Sequence, residues 1–380
     1  MRAETNLPRM RRIAIIGSRG YPSYYSGFET LVRHLAPYLV ERGEHVTVYD
    51  RGRTRRPVSK VINGIEVRST VGLDTKSTST LSYGYSSIAD AARGGFDAAL
   101  VLNVANGLHL GRLKRAGVRT CVNVDGMEWQ REKWGFVAKR TFLRGAKMTA
   151  ALADELVFDS RALAGLWTAK FHRGGRFIPY GAPILEVIGD GLLVERGLPN
   201  EGYVLAVCRV VPENNLDLLF DALAYMDAAT PVVVVGDSNY DHRTLQRLRA
   251  LSASGRLHWL GHVNDQALLD QLWGNAGVYW HGHSVGGTNP SLLQALGAGA
   301  PTVALDTVFN REVIGSDEQL VGSHPGELAS RLRDVLGSPE GQERMRARGR
   351  TSIAERYSWS SVCAAYHELL VGAVGARRAP

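Results

Sequence analysis

Twice along this chain, short apolar runs of strand length alternate with longer amphipathic segments, and few folds satisfy that grammar. The first series opens with Arg12–Gly17 and continues through His45–Tyr49, Ala98–Leu102, Thr120–Val124 and Glu155–Phe158. An apolar-periodic helix is expected from Phe28 to Arg42, stopped by Gly43, and a basic loop from Arg51 and Gly52. The second series has strands at Tyr203–Val207, Val232–Gly236, Leu257–Gly261, Val278–Trp280 and Pro301–Leu305. Helices are expected between them at Asn215–Met226, His242–Ser252 and Ser291–Gly297. Runs that are apolar throughout, instead of alternating, belong to strands buried on both faces, hence to parallel sheets covered by helices. A chain of 380 residues is too long for one ordinary core and suits two. The reading is α/β, with one doubly wound domain over 1–182, a second over 183–359, and a crossover helix and tail over 360–380. Phe177–Pro183, rich in proline and glycine, suits a hinge between them.

Hydrophobic residues make up 44% and charged residues 22%, which describes a globular protein and excludes a disordered one. No uninterrupted apolar run reaches the length of a transmembrane helix, and the first dozen residues lack the apolar centre of a secretory signal. Cys121, Cys208 and Cys363 form neither a paired framework nor a metal-ligand spacing. A cytoplasmic location is expected. The formal charge of +8 suits nucleic acid, an anionic membrane face or a phosphorylated substrate, and equally a composition that simply prefers Arg to Lys. Local pattern favours the membrane: Arg131, Lys133, Lys139, Arg140, Arg144 and Lys147 interleave with Trp134, Phe136, Val137, Phe142 and Leu143. The same segment is also compatible with an ordinary surface helix. Nucleic acid is not an expected partner; an anionic surface on the inner membrane face is.

Three loops concentrate the chemistry. Gly17–Thr30 follows the first strand, is longer than a turn requires, and brings glycines to a helix N-terminus, where backbone N–H groups favour anions. Its spacing is not the dinucleotide fingerprint, which counts against a nicotinamide dehydrogenase. His281–Ser291 places Gly286, Gly287 and Thr288 just ahead of a helix whose first turn holds Pro290 and Ser291, a geometry for a diphosphate. His281 and His283 have zinc-like spacing but no further Cys or His nearby, so no metal site is expected. Arg209, at the end of the second series' first strand, can pair bidentately with a phosphate, the alternative being a plain surface arginine.

Arg209-Val-Val-Pro-Glu-Asn-Asn215, the glycine-rich loop leading into a leucine-rich helix, and Phe309-Asn-Arg-Glu312 resemble the C-terminal domain of family 4 glycosyltransferases. Gly17–Thr30, Val124-Asp-Gly-Met-Glu-Trp129 with Lys133-Trp134, and His281–Pro290 resemble more narrowly the bacterial capsule and cell-wall rhamnosyltransferase branch. The resemblance runs in order over residues 12 to 360. It implies a GT-B fold, two Rossmann-like domains facing a cleft, with the C-terminal helix packing back on the first. It also implies a retaining, metal-independent enzyme without cofactor, using a nucleotide-diphosphate sugar, in this branch dTDP-L-rhamnose, and a lipid-linked or saccharide acceptor.

Carried over residue by residue, Arg209 matches the family's phosphate-binding arginine, and Asn214, beside Asn215, stands where many relatives have lysine. Gln294 occupies the ribose position and Ser284, or by count Gly286, the position of a second glutamate, so neither carboxylate is present. Gly20, Gly286, Gly287, Thr288, Asn289 and Glu312 complete the expected donor side, Glu312 as a sugar contact or, alternatively, a helix cap. Tyr25, Gly27, Phe28, Glu29 and Trp129 are expected on the acceptor side. Asp125 and Glu128 would orient or deprotonate the acceptor hydroxyl, unless Glu128 merely pairs with Arg131 or Lys133. Two rival readings remain: a nucleotide-sugar 2-epimerase, and a non-catalytic donor-binding subunit suggested by the missing carboxylates.

Overall fold

A computed structural model describes residues 10–23, 27–52, 58–73, 79–130, 134–238 and 242–372. The chain divides into two compact units, 1–178 with 360–380, and 179–359.

The first unit runs β1 (Arg12–Ile16), α1 (Gly27–Glu41), β2 (His45–Gly52), β3 (Val58–Ile62), β4 (Ile65–Val71), α2 (Ser79–Ala91) and β5 (Ala98–Leu102). It continues with α3 (Gly111–Arg115), β6 (Arg119–Asn123), α4 (Phe136–Leu152), β7 (Glu155–Phe158), α5 (Arg161–Phe171) and β8 (Arg176–Phe177). These strands form one eight-stranded sheet in the order β3-β4-β2-β1-β5-β6-β7-β8. Every pairing is parallel except β3 with β4. The central strands are dry: Ile13 through Ile16 and Leu100 through Leu102 have no exposed surface, which is why they read as unbroken apolar runs.

The edge differs from the expected basic loop. β2 extends through Arg51 to Gly52, and an antiparallel hairpin follows, turning at Asn63-Gly64 with φ of 51° and 78°. Positive φ at both turn residues matches the right-handed twist of a tight hairpin. β3 lies on the rim with almost every side chain exposed, so burial leaves no apolar run by which to recognise it.

The second unit comprises α6 (Gly191–Glu195), β9 (Val204–Val207), α7 (Leu216–Ala222), β10 (Val232–Val235), α8 (Arg243–Ala253), β11 (His258–Trp259), α9 (Gln266–Gly274), β12 (Val278–His281) and α10 (Pro290–Gly297). After these come β13 (Thr302–Leu305), α11 (Val308–Ile314), β14 (Leu320–Val321), α12 (Pro325–Leu336) and α13 (Pro339–Arg356). Its six strands, all parallel, are ordered β11-β10-β9-β12-β13-β14. The strand expected over 257–261 is shorter, and the helix expected over 215–226 tightens into a 3-10 turn after Ala222. One core, from Val204 and Val232 to Leu328 and Leu332, joins this sheet to its helices.

α14 (Trp359–Val371) returns to the first unit. Its Leu369 carbonyl accepts a bond from the Cys121 thiol and that of Gly372, just past its end, one from Arg119, both on β6, and His367 meets Glu44. The three cysteines are free, and burial pushes each thiol up to about 12, so they stay protonated and unreactive.

Candidate active site

In an open parallel sheet, ligands bind beyond the carboxyl ends of the strands, and the expected residues cluster there in both units. In the second unit the ends of β9 and β12 are woven together through asparagines. Asn215, left-handed at φ 49°, donates its amide to the Gly282 carbonyl at 2.8 Å. Asn214 donates to the Arg209 carbonyl at 2.7 Å, and its oxygen meets His283 Nδ1 at 2.6 Å. Asn214 therefore braces the arginine's backbone as a donor and meets His283 through its oxygen, a pairing a lysine could not reproduce because it has no acceptor. Ser284 donates both its backbone N–H, at 2.9 Å, and its hydroxyl, at 3.0 Å, to the Glu213 carbonyl. Asn310 closes the loop by donating to the His283 carbonyl at 2.9 Å.

Arg209 stands apart from this web. Its side chain is exposed and makes neither an ion pair nor a hydrogen bond among the described residues. A long cation on a braced backbone, with no neutralising partner among the described residues, is arranged to meet a ligand anion. Opposite in sequence, Gly286 adopts φ 112°, which only glycine tolerates readily, and Thr288 is buried. Asn289 caps α10 by accepting from the Ser291 N–H at 3.0 Å, with Pro290 as the first helical residue. Gln294 lies half-buried one turn further along this helix.

Each histidine of the pair is engaged through Nδ1, while His281 Nε2 is buried without a hydrogen-bond partner among the described residues. Tyr279 contacts His281 Nδ1 at 3.1 Å, burial holds His281 far below the usual imidazole range, and His283 is engaged by Asn214. Among the described residues no group of three or more His, Cys, Asp or Glu is placed to hold a metal ion. Glu312 is half-buried on α11, but the helix is capped by Thr307, whose hydroxyl accepts from Asn310 N at 3.1 Å.

In the first unit, Gly17 and Gly20 both take positive φ, 105° and 103°, as the loop leaves β1. A Cβ on Gly20 would fall 2.5 Å from Asp50 Oδ1, so the backbone passes directly over that carboxylate. Glu29 is buried near the start of α1 and accepts the Arg19 N–H at 2.9 Å, which ties the loop to the helix. Gly27 and Phe28 open that helix half-buried; Tyr25 lies outside the described residues. Trp129 packs in an aromatic cluster with Trp167 and Phe171 at ring separations of 5.9 and 5.7 Å. Glu128 is buried and accepts Trp134 Nε1 at 2.8 Å; Arg131 and Lys133 lie outside the described residues.

Asp125 is the most constrained residue of this group. Its φ is 66°, and Asn103, itself at φ 72°, donates to its carboxylate at 3.2 Å. Strain of this kind costs on the order of 1–3 kcal/mol per residue and persists only where neighbours enforce it. Sequence reasoning missed Asn103; the available signal was an asparagine directly after a fully apolar strand.

α4 carries no acidic residue, and Phe136, Val137, Arg140, Arg144 and Lys147 are exposed along it. Arg140 lies over the Phe136 ring at 5.1 Å. Among the described residues no helix is long and apolar enough to cross a membrane.

Comparison with known proteins adds to this geometry. The family described as Glycosyl transferases group 1 matches residues 195–352, within which lie Arg209, the glycine-rich loop, Gln294 and Glu312. No curated protein sequence matches the chain. Among solved structures, sucrose-phosphate synthase from Thermosynechococcus elongatus is similar at a TM-score of 0.79 and 17% identity, covering 95% of this chain and 98% of that one. Anabaena HepE in complex with UDP and glucose is similar at 0.76 and 16%, covering 96% and 100%. A UDP-forming trehalose-phosphate synthase from Burkholderia xenovorans is similar at 0.71 and 12%, covering 96% and 100%. Residues 195–352 thus match the model of that glycosyltransferase family, and the chain's two Rossmann-like units have the GT-B fold.

Proposed function

We propose that the chain is a retaining, metal-independent glycosyltransferase that moves a sugar from a nucleotide diphosphate to an acceptor in cell-surface glycan synthesis. The observation that carries this is Arg209, exposed and without a side-chain partner among the described residues at the end of β9, within the stretch that matches the glycosyltransferase family model. Its guanidinium and the backbone donors of Gly286–Asn289 would stabilise the departing diphosphate, a task other transferases give to a divalent cation. Asn215, Gln294 and Glu312 would contact the nucleotide and sugar, Gln294 through a neutral amide to the ribose. Asp125 and Glu128 would orient or deprotonate the acceptor hydroxyl. The resemblance of the motifs favours dTDP-L-rhamnose as donor; UDP-glucose is the main alternative, since HepE is described in complex with it.

A panel of nucleotide-diphosphate sugars tests the donor. The true one should raise the melting temperature by mass action, roughly 2.7 kcal/mol of stabilisation at a hundredfold excess over Kd. It should also release nucleoside diphosphate at an undiminished rate in excess EDTA. Loss of turnover in EDTA with recovery in magnesium would end the metal-free reading. Binding without release to any acceptor would instead favour the non-catalytic subunit, which the absence of carboxylates at Ser284 and Gln294 motivates.

The acceptor is proposed to be lipid-linked, with the first unit held peripherally on an anionic inner leaflet by α4. The support is the exposed Phe136–Val137 pair followed by Arg140, Arg144 and Lys147 with no acid between them. Each such cation near an anionic surface contributes about 1 kcal/mol. Replacing Arg140, Arg144 and Lys147 together by Glu should therefore cut cosedimentation with phosphatidylglycerol vesicles more than tenfold. Unchanged binding by the folded triple variant, or equal binding to neutral vesicles, would make a soluble saccharide the better acceptor.

A further inference from the structure

β5 and β6 are neighbours in the first sheet, and an asparagine directly after β5 and another at the end of β6 are used in the same way. Asn103 accepts the N–H of Ala105, and Asn123 accepts the N–H of Asp125, both at 2.9 Å. The strand ends are joined by the Asn103 N–H, which donates to the Asn123 carbonyl at 3.0 Å. Asn103 then spends its own amide N–H on the Asp125 carboxylate, at 3.2 Å. Asn123 spends its amide N–H elsewhere: it donates at 2.8 Å to the hydroxyl of Tyr366 on α14. Asn123 and Tyr366 are each 1% exposed, so that bond is shielded from bulk solvent.

Asp125 is thus held at two points. Asn103 fixes the carboxylate, and Asn123 fixes the backbone N–H that a left-handed residue must present. The second hold depends on a buried amide whose N–H has one partner among the described residues, a phenol from α14. Burial raises the Tyr366 phenol above its ordinary value, so it stays neutral and can accept. We infer that Tyr366 is a positioning residue: through Asn123 it keeps Asp125 in the conformation that aims its carboxylate, so that α14 contributes to turnover and not only to packing. This rests on the role proposed above for Asp125.

The test uses the full chain and three variants. In Tyr366→Phe, amide hydrogen exchange at Asp125 should quicken about tenfold, the effect of losing one buried hydrogen bond, while β1 and β5 stay protected. Turnover of dTDP-rhamnose or UDP-glucose, whichever the panel accepts, should fall about three- to tenfold in kcat with the donor KM within twofold. Leu369→Ala, a cavity in the same helix that leaves the amide chain alone, should lower the melting temperature yet keep kcat. Asp125→Asn should fall at least as far as Tyr366→Phe. Unchanged exchange at Asp125 in Tyr366→Phe would overturn the coupling whatever the activity. Equal kcat losses in Tyr366→Phe and Leu369→Ala would reduce Tyr366 to ordinary packing. Full activity in Asp125→Asn would instead remove Asp125 from the reaction, a failure of the earlier reading and visible as such.

Discussion

Arg209→Ala is expected to lower sugar transfer by two or more orders of magnitude and to leave the melting temperature almost unchanged. Both halves follow from the same geometry. The side chain is exposed and touches no charged or hydrogen-bonding partner among the described residues, so the fold loses nothing that Arg209 holds; surface changes of that kind stay within about 0.5 kcal/mol. Its backbone is anchored independently, by Asn214 on its carbonyl. The lost function is the charge-assisted contact to a diphosphate that gains charge as the glycosidic bond breaks. One such donor is worth about 3 kcal/mol in the transition state, close to a hundredfold in rate. Arg209→Lys should recover only part of this, since an ammonium keeps the charge but not the two-pronged geometry. Donor-induced stabilisation should weaken in the same order. Near-normal turnover in a folded Arg209→Ala protein would take the residue out of the site and leave the second unit's glycine loop as the sole anion-binding element.

How far the sequence was legible depended on burial. β1 after Arg12, β5 and β10 are covered on both faces, so every position is apolar and the run announces itself. β3 is exposed along its length, and only Asn63-Gly64 marked the hairpin. The site was legible as motifs but not as roles. Glu29 and Trp129 sit in the segments that resemble the rhamnosyltransferase branch, yet one ties the Arg19 loop to α1 and the other packs on Trp167. A motif records which residues a function needs nearby, without separating those that meet a ligand from those that hold the loop. Asn103 and Tyr366 were missed for a related reason. Their importance lies in what they touch, 22 residues away in the case of Asn103 and Asp125, 243 in the case of Asn123 and Tyr366. Nothing in the local pattern of an asparagine after a strand, or a tyrosine within a helix, reports such a partner.

The largest stability effect is expected at a residue no motif singled out. Gly236 ends β10 with φ 127°, and a Cβ there would stand 1.7 Å from the Cys208 carbonyl oxygen and 2.7 Å from its carbon. Neither side can yield easily. The Cys208 N–H donates to the Val235 carbonyl and the Val210 N–H to that of Asp237, each at 3.0 Å, so the Arg209 segment is stitched down on both sides of the glycine. Gly236 itself donates to the Gly261 carbonyl at 2.7 Å and accepts Trp259 Nε1 at 2.8 Å. Gly236→Ala must therefore break a stitch, in addition to forcing an L-residue into left-handed space. We expect a loss of about 3 kcal/mol or more, which in a unit of this size lowers the melting temperature by roughly 6–12 °C. Gly255→Ala is the control: its φ is 73°, and a Cβ there meets nothing within 4 Å. That change carries only the conformational cost, about 1–2 kcal/mol. Because the displaced atoms belong to Cys208 and Arg209, the alanine at 236 should also abolish the thermal response to donor, while the alanine at 255 keeps it. Equal melting temperatures for the two variants would show that the β9–β10 junction relaxes freely, and Arg209 would then owe its position to Asn214 alone.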